Sequence, residues 1–310
     1  MVRAFLDSTE GDNEMTTITP QLIKDLRERS GAGLADVKKA LEANDGNIEA
    51  SMDWLREKGI SKAAKKSGRA AAEGIVWALS NGKTGVMIEI NSETDFAARN
   101  ESFSGFVKKV AELALAAGAG DVDSVKALPF GDGKTVGEAL TDLIGVVGEN
   151  MQLRRAAKLE SSDGNVGAYV HMGGKIGSLV AVSGADVGET ARQMAMHVAA
   201  SNPASLDRDS IDQELLARER AIYEAQAAES GKPAAVVEKI VEGRVSKFLE
   251  EVCLVDQPFV MDPDRKVGKV VSDAKAGAKV SGFVRFGLGE GVEKPEENFA
   301  EEVMKAAGAA

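Results

Sequence analysis

The chain opens with a helical spacing of apolar residues. Leu22, Ile23 and Leu26 share one helix face, which Thr19 can cap and Pro20 can begin. The same spacing recurs twice more before the chain reaches Gly59, at Leu34, Val37 and Leu41 and then at Ile48, Met52 and Leu55. The pattern therefore predicts three short helices, the last ending at Gly59, and an exposed, lysine-rich linker over residues 58–69.

Short apolar runs rich in β-branched residues then replace the helical spacing. The first pair of runs flanks residues 81–85 (NGKTG), and the second pair flanks residues 173–177 (GGKIG). Such runs around a glycine turn predict β-hairpins. Both turns contain Gly-Lys-x-Gly, and a helical pattern follows each hairpin, over residues 103–113 and 187–200.

A second pair of similar segments supports an internal repeat. The segment 128–130 (LPF) resembles 257–259 (QPF), and each is followed by a helical pattern and then a strand pattern, over residues 151–159 and 280–286. We therefore predict an α+β fold, in which a three-helix module precedes two related subdomains. Each subdomain has a small antiparallel sheet with helices on one face.

An insert splits the second copy. Residues 211–230 and 234–251 have helical patterns, and Gly231-Lys232-Pro233 turns the chain between them. The spacing predicts an antiparallel helical hairpin that stands off the core. The sequence leaves three possibilities open for this hairpin. It could join two copies of the chain in a homodimer, contact a partner, or do neither.

Composition excludes several classes of function. The net charge of −11 disfavours free nucleic acid as the main partner. The chain contains no run of about 18 apolar residues that would span a membrane. A single cysteine, Cys253, cannot form an internal disulfide, which fits the reducing cytoplasm.

Enzyme and cofactor motifs are missing as well. The sequence has no P-loop pattern, no cysteine pair for zinc and no nucleophile elbow, and residues 287–291 (GLGEG) do not match a dinucleotide fingerprint. We expect no catalytic residue, metal or cofactor. Cys253 and His197 are interpreted as buried structural residues, whereas His171, beside the second hairpin turn, is a candidate contact.

The loop over residues 91–100 (NSETDFAARN) is the main candidate for a functional segment. Phe96 is an apolar ring in an otherwise polar stretch. From spacing alone, the commoner arrangement is that Phe96 packs inward and that Asp95 caps a helix. The alternative is that Phe96 stays exposed and enters a pocket of a partner.

The helical module contains a second candidate surface. Arg27, Leu34 and Lys38 can form one exposed patch. Residues 16–69 contain 11 Lys and Arg against 8 Asp and Glu, an excess of three positive charges in an acidic chain. Such charges are usually a solvated face, and the alternative is steering toward an acidic partner.

Several segments in order resemble the elongation factor Ts family. The matching segments are 26–34 (LRERSGAGL), 36–41 (DVKKAL), 91–100 (NSETDFAARN), 197–200 (HVAA) and 243–248 (GRVSKF). The resemblance runs from about Met15 to Ala310. Val37 stands where many members have cysteine, and residues 1–14 have no counterpart.

The resemblance implies a function. Members of the family bind EF-Tu loaded with GDP, speed the release of GDP and let GTP enter, without hydrolysing anything. It implies that Thr94, Asp95, Phe96 and Ala97 lie beside the partner's Mg²⁺ and nucleotide. It further implies that Arg27, Leu34 and Lys38 contact the GTPase domain and that the second subdomain, with His171, contacts another domain.

Two other functions remain open from the residues alone. A pure binding adaptor would use the three helices, which resemble a ubiquitin-associated (UBA) module, with the rest as scaffold. An unrecognised enzyme would need a pocket with perturbed carboxylates, for which the sequence gives no sign.

The expected domain boundaries follow from these patterns. Residues 1–14 are a disordered extension, with Met15 as a candidate start, and the tail forms a short helix over residues 296–307. The divisions between are 15–60 (UBA-like module), 61–73 (linker), 74–160 (first subdomain), 161–206 with 252–290 (second subdomain), 207–251 (helical hairpin) and 291–310 (C-terminal module).

Overall fold

The computed structural model describes residues 18–30, 32–229 and 232–292, and in residues 60–62 only the backbone. The chain divides into two compact units, residues 1–67 with 141–148, and residues 68–140 with 149–310. The predicted extension at 1–14, the start at Met15 and the tail helix at 296–307 lie outside the described residues.

Helices and small antiparallel sheets make up the described chain, which confirms the α+β class. In chain order they are α1 (Pro20–Ser30), α2 (Leu34–Ala43), α3 (Ile48–Lys66), β1 (Glu73–Ser80), β2 (Thr84–Ser92), α4 (Asp95–Ala98), α5 (Glu101–Ala117), α6 (Val122–Ala127), β3 (Pro129–Gly131), β4 (Lys134–Thr135), α7 (Val136–Val147), β5 (Met151–Glu160), β6 (Asn165–His171), β7 (Ile176–Val182), α8 (Gly188–Ser201), α9 (Gln213–Ala228), α10 (Ala234–Val252), β8 (Pro258–Phe259), β9 (Asp262–Lys266), α11 (Val267–Ala274) and β10 (Val280–Gly287).

Three helices form the N-terminal module of the first unit. Leu26 from α1 and Val37 and Leu41 from α2 are fully buried, and Ile48 and Met52 from α3 pack against them. Asn47 begins α3, since its side chain accepts a hydrogen bond of 3.0 Å from the backbone N–H of Ala50. The apolar faces predicted from the spacing therefore build this core, except that Leu34 of the second face is exposed.

The predicted end of α3 at Gly59 is wrong, because the helix continues to Lys66. Residues 58–66 of the predicted linker are therefore helical. Gly59 is buried in the helix, and a Cβ atom added to Gly145 would lie 3.0 Å from its Cα. Glycine costs a helix interior about 1 kcal/mol relative to alanine. Close packing against α7, and not chain termination, explains this glycine.

Two three-stranded antiparallel sheets form the centre of the second unit, in the orders β1-β2-β5 and β10-β7-β6. Both predicted hairpins are present. In the first, the Asn81 side chain accepts from the backbone N–H groups of Lys83 and Thr84, at 3.0 and 2.8 Å, and so closes the turn. The two sheets share an apolar cluster, in which Val76 and Met87 of one pack with Leu179 of the other.

Helices cover these sheets. Helix α5 packs on β1 and β2 and buries Phe103, Val107 and Val110. Helix α8 packs on β6 and β7 and buries Met194 and Val198. Each hairpin is thus followed by a helix on its own sheet, as the repeat predicted.

The similar segments 128–130 and 257–259 also have the same structure. Each Pro-Phe pair lies in a two-stranded hairpin, β3 with β4 and β8 with β9, and a helix follows each one. The backbone N–H of Val136 donates to the carbonyl of Leu128 at 2.9 Å, and that of Val267 donates to the carbonyl of Gln257 at 3.0 Å. The same bond at matching positions supports two related subdomains. The small hairpins and α6 were not predicted, because these elements are too short to show a period.

Helices α9 and α10 pack together as the predicted helical hairpin. Ala227 and Val241 are buried in it, and the Arg244 guanidinium donates to the Gln226 side chain at 2.8 Å. Residue 230, the predicted end of the first helix, and residue 231 of the predicted turn lie outside the described residues.

Candidate functional site

The candidate loop is more ordered than predicted. Asn91 and Ser92 belong to β2, and Asp95 to Ala98 form the single helical turn α4, so the predicted ten-residue loop is wrong in both places. Thr94 causes the difference. Its hydroxyl accepts a 3.2 Å hydrogen bond from the backbone N–H of Ala97, which caps the turn. The cap is therefore Thr94, and not Asp95.

Phe96 points into solvent from this turn. Its side chain is 79% exposed, whereas the next two residues, Ala97 and Ala98, are buried. Successive residues of a helix point about 100° apart around its axis, so burying the two alanines turns the phenylalanine outward. The inward arrangement of Phe96, the commoner one from spacing, is not what the structure shows.

Asp95 forms an ion pair within the same segment. Its carboxylate lies 2.8 Å from the Arg99 guanidinium, one helical turn later, and both side chains reach solvent. Surface pairs of this kind contribute about 0–1 kcal/mol. Asp95 therefore stays free to exchange Arg99 for another donor at little cost.

Two glutamates that the sequence did not single out hold the loop in place. The Glu149 carboxylate accepts from the backbone N–H of Thr94 at 3.0 Å and from its hydroxyl at 2.7 Å. The Glu93 carboxylate accepts from the backbone N–H of Asn150 at 2.6 Å. Because 55 residues separate Thr94 from Glu149, no local spacing pointed to this contact.

Two of the three residues of the patch predicted on the helical module, Arg27 and Leu34, lie together in the structure. Arg27 and Leu34 line one shallow groove, together with Ile23 and Lys24. Lys38 lies one helical turn after Leu34 on α2. All three predicted residues are exposed, and Leu34, an apolar residue, is 48% exposed.

His171 lies at the exposed end of β6, where its Nδ1 atom is 2.9 Å from the Tyr169 hydroxyl. The turn that follows it approaches the strand that pairs with β2. The Lys175 ammonium lies 2.9 Å from the Glu73 carboxylate, and Glu73 is opposite Ser92 in the sheet. His171 is therefore at the same end of the paired sheets as the segment that leads to Phe96.

Comparison with known proteins identifies the family of the chain. The family model described as elongation factor Ts matches residues 93–290. Elongation factor Ts of Sphingopyxis alaskensis is 52% identical over 307 residues, which cover 95% of this chain and 100% of the relative. Those of Gluconobacter oxydans and Paramagnetospirillum magneticum are 51% and 50% identical, each over 95% of this chain and over 99% and 98% of the relative.

The chain belongs to the elongation factor Ts family. Membership assigns it a role in the elongation stage of protein synthesis. The matched region begins at Glu93, within the candidate segment of residues 91–100, and the relatives extend the similarity over the helical module.

Two residues interpreted as structural are buried in this elongation factor Ts fold. The Nε2 atom of His197 lies 2.9 Å from the Gln257 side-chain oxygen, and its Nδ1 atom accepts from the backbone N–H of Val260 at 3.1 Å. Burial lowers the pKa of His197, and burial likewise raises the pKa of the Cys253 thiol. Two hydrogen bonds hold the buried imidazole, and the raised thiol pKa disfavours the reactive thiolate, so both side chains fit the structural interpretation.

The described residues contain neither a metal-ion cluster nor a membrane-spanning helix. Within residues 18–30, 32–229 and 232–292, no three His, Cys, Asp or Glu side chains are grouped so that they could hold a metal ion. In that part of the chain, no helix has the length and apolar character needed to cross a membrane.

Proposed function

We propose that this chain is a guanine nucleotide exchange factor. In this proposal it binds EF-Tu loaded with GDP, disturbs the Mg²⁺ site with the loop of Thr94, Asp95, Phe96 and Ala97, and remains bound until GTP enters. The observation that carries the proposal is the outward-facing ring of Phe96 on a capped turn, in a chain of the elongation factor Ts family.

The exposed ring supplies binding free energy that depends on the partner's conformation. Burying a phenylalanine side chain gives about 1.5–3 kcal/mol. If the receiving pocket opens only when the Mg²⁺ site is distorted, this free energy favours the distorted form. Each 1.4 kcal/mol or so corresponds to about a tenfold change in an equilibrium constant.

Mg²⁺ is a sensitive target for such a shift. It requires nearly ideal octahedral oxygen ligands and commonly bridges protein to nucleotide phosphates. A ligand that prefers the GDP-free partner weakens GDP binding by the same factor, by linkage. The chain therefore needs no contact with GDP itself and no covalent chemistry.

The remaining predicted contacts position the loop. We propose that Arg27, Leu34 and Lys38 contact the GTPase domain of EF-Tu, and that His171 contacts another domain. The three excess positive charges of residues 16–69 favour approach to an acidic surface. On this account the chain acts in the cytoplasm without a cofactor, and neither nucleic acid nor a membrane is a partner. The domain boundaries given above remain part of this proposal.

The test is release of labelled GDP from purified EF-Tu, with and without this chain, in Mg²⁺ and again after Mg²⁺ is chelated. We expect a large acceleration in Mg²⁺ and a much smaller one after chelation, because chelation already removes the ion that the loop disturbs. Equal acceleration in both conditions would contradict the Mg²⁺ mechanism, and no acceleration in either would contradict the exchange function.

A further inference from the structure

The candidate loop begins where a β-ladder stops. Strands β2 and β5 are antiparallel, and the last pair in their register is Ser92 with Met151. The next positions across the ladder bring Glu93 opposite Asn150 and Thr94 opposite Glu149. No further backbone pairs continue the ladder here, since the chain turns away into α4.

Carboxylates take over from backbone carbonyls at these two positions. The Glu93 carboxylate accepts the backbone N–H of Asn150 at 2.6 Å, and the Glu149 carboxylate accepts the backbone N–H of Thr94 at 3.0 Å. Each glutamate thus bonds the main chain of the opposite segment. The result is a reciprocal bracket that fixes the two segments to each other after the strands end. Hydrogen bonds to a charged acceptor contribute more than neutral ones.

The bracket extends into the turn that carries Phe96. The Thr94 hydroxyl has one proton, which it donates to Glu149 at 2.7 Å. Its oxygen lone pair is thereby directed to the backbone N–H of Ala97, at 3.2 Å. Glu149 therefore orients the group that caps α4. A single helical turn is not stable alone, so its geometry depends on such contacts.

We propose that Glu149 is the positioning residue for Phe96. The proposal rests on the proposed exchange function and adds to it the residue that aims the ring. Without the Glu149 carboxylate, the backbone N–H and the hydroxyl of Thr94 lose their common acceptor. The turn then has to be ordered during binding, and the free energy spent on ordering it no longer favours the GDP-free complex.

The test compares Glu149→Ala and Glu149→Gln with wild type in release of labelled GDP from EF-Tu, measured over a range of concentrations of the chain. For Glu149→Ala we expect the maximal rate to fall about tenfold, since bonds to a charged group are lost. The concentration that gives half the maximal rate should stay nearly constant. The maximal rate with Glu149→Gln should lie between those with wild type and with Glu149→Ala, because its amide oxygen replaces only one of the two carboxylate acceptors.

Glu138→Ala is a matched control. The Glu138 carboxylate also accepts from the backbone N–H and the hydroxyl of a threonine, Thr135, at 2.8 and 3.1 Å. It lies at the start of α7, outside the loop and the other proposed contacts. We expect Glu138→Ala to lose a comparable helix cap and to leave the maximal rate of GDP release unchanged.

The double variant Glu149→Ala/Phe96→Ala tests whether Glu149 acts through the ring. If it does, the double variant is no slower than Phe96→Ala, because the group that Glu149 aims is already gone. Losses that multiply would overturn the proposal. Amide hydrogen exchange in the free chain gives a separate readout, in which Glu149→Ala should speed exchange at Thr94 and Ala97; unchanged protection there would also overturn it.

These measurements separate the two claims. If wild type speeds GDP release and Phe96→Ala slows it while Glu149→Ala matches wild type, the positioning role is wrong and the exchange function stands. If wild type does not speed GDP release, the exchange function fails and the role of Glu149 in it fails too.

Discussion

Gly85 and Gly177 occupy matching positions in the two Gly-Lys-x-Gly turns, and each packs against the hairpin that contains the other. A Cβ atom added to Gly85 would lie 2.7 Å from Val166 Cγ1, and one added to Gly177 would lie 2.5 Å from Val76 Cγ1. Both distances are too short for carbon atoms in contact. The repeated glycine therefore lets the two sheets approach each other, and with them the two ends that carry the Phe96 loop and His171.

The first prediction concerns this close approach. Gly177→Ala should lower the free energy of unfolding by about 1–3 kcal/mol, because the added methyl group meets the stiff side chain of Val76. Urea denaturation measures the change. Gly243→Ala is the control, since Gly243 lies within α10 and its added methyl group meets nothing within 4 Å. The free energy of unfolding of that variant should rise by about 0.5–1 kcal/mol, because alanine has a higher helix propensity than glycine. A neutral effect of Gly177→Ala would contradict the packing.

A buried carboxylate gives the second prediction. Glu89 lies in β2 and is fully buried, where it accepts from the guanidinium groups of Arg154 and Arg155 and from the backbone N–H of Gly289. Removing one partner of a buried ion pair leaves uncompensated charge and costs about 3–5 kcal/mol. We expect Glu89→Ala to destabilise the chain by about that amount.

Glu160→Ala is the comparison for Glu89. Glu160 forms a surface pair with Lys158 at 3.3 Å, and loss of such a pair costs about 1 kcal/mol or less. Urea midpoints of both variants measure the difference. Equal, small losses would show that the Glu89 network does not hold the second unit together.

The third prediction concerns pH. Burial lowers the pKa of His197 below its usual 6.5. As pH falls through about 6.5, the unfolded chain therefore takes up a proton before the folded chain does, and stability is lost. Between about pH 7.5 and pH 5.5 the wild type should lose up to about 1.4 kcal/mol more than His197→Asn.

The chain has only two histidines, so the other one, His171, provides the control. The exposed residue His171 is changed in His171→Asn, which keeps His197 and should retain the pH dependence of wild type. If His197→Asn loses stability with falling pH as steeply as wild type does, the buried imidazole is not the source of the dependence.

The fourth prediction separates contact from general charge on the helical module. Lys38→Glu should raise the concentration of the chain needed for half-maximal GDP release, because Lys38 shares the proposed contact face with Leu34. Its maximal rate should be unchanged. Lys39→Glu makes the same charge change at the next exposed position, about 100° around the helix. Equal effects of the two variants would support long-range steering and contradict a contact by Lys38.

Much of the fold could be predicted because its elements have clear periods. The apolar faces of α1 to α3, the two hairpins and the helical hairpin all followed from spacing and turn residues. The end of α3 was missed, because Gly59 was interpreted as a stop and its packing partner, Gly145, lies far along the chain. Contacts between distant segments leave no local pattern.

The candidate site was likewise predicted only in part. The position of Phe96 in a polar stretch drew attention to it, yet spacing favoured an inward ring. Burial of Ala97 and Ala98 turned the ring outward, and that depends on packing beneath the turn. Glu89 could have been noticed as a charge within an apolar strand, whereas Glu149 showed nothing unusual in its own neighbourhood.

The most direct test of the central claim is a stopped-flow measurement of GDP release from EF-Tu with Phe96→Ala, alongside the affinity of this variant for EF-Tu loaded with GDP, in which the Mg²⁺ site is still intact. Ile222→Ala, which shortens an exposed apolar side chain on the helical hairpin, is the control. We predict that Phe96→Ala binds with nearly unchanged affinity and that its maximal rate falls about tenfold or more, from loss of the buried ring. Release as fast as with wild type would contradict the account.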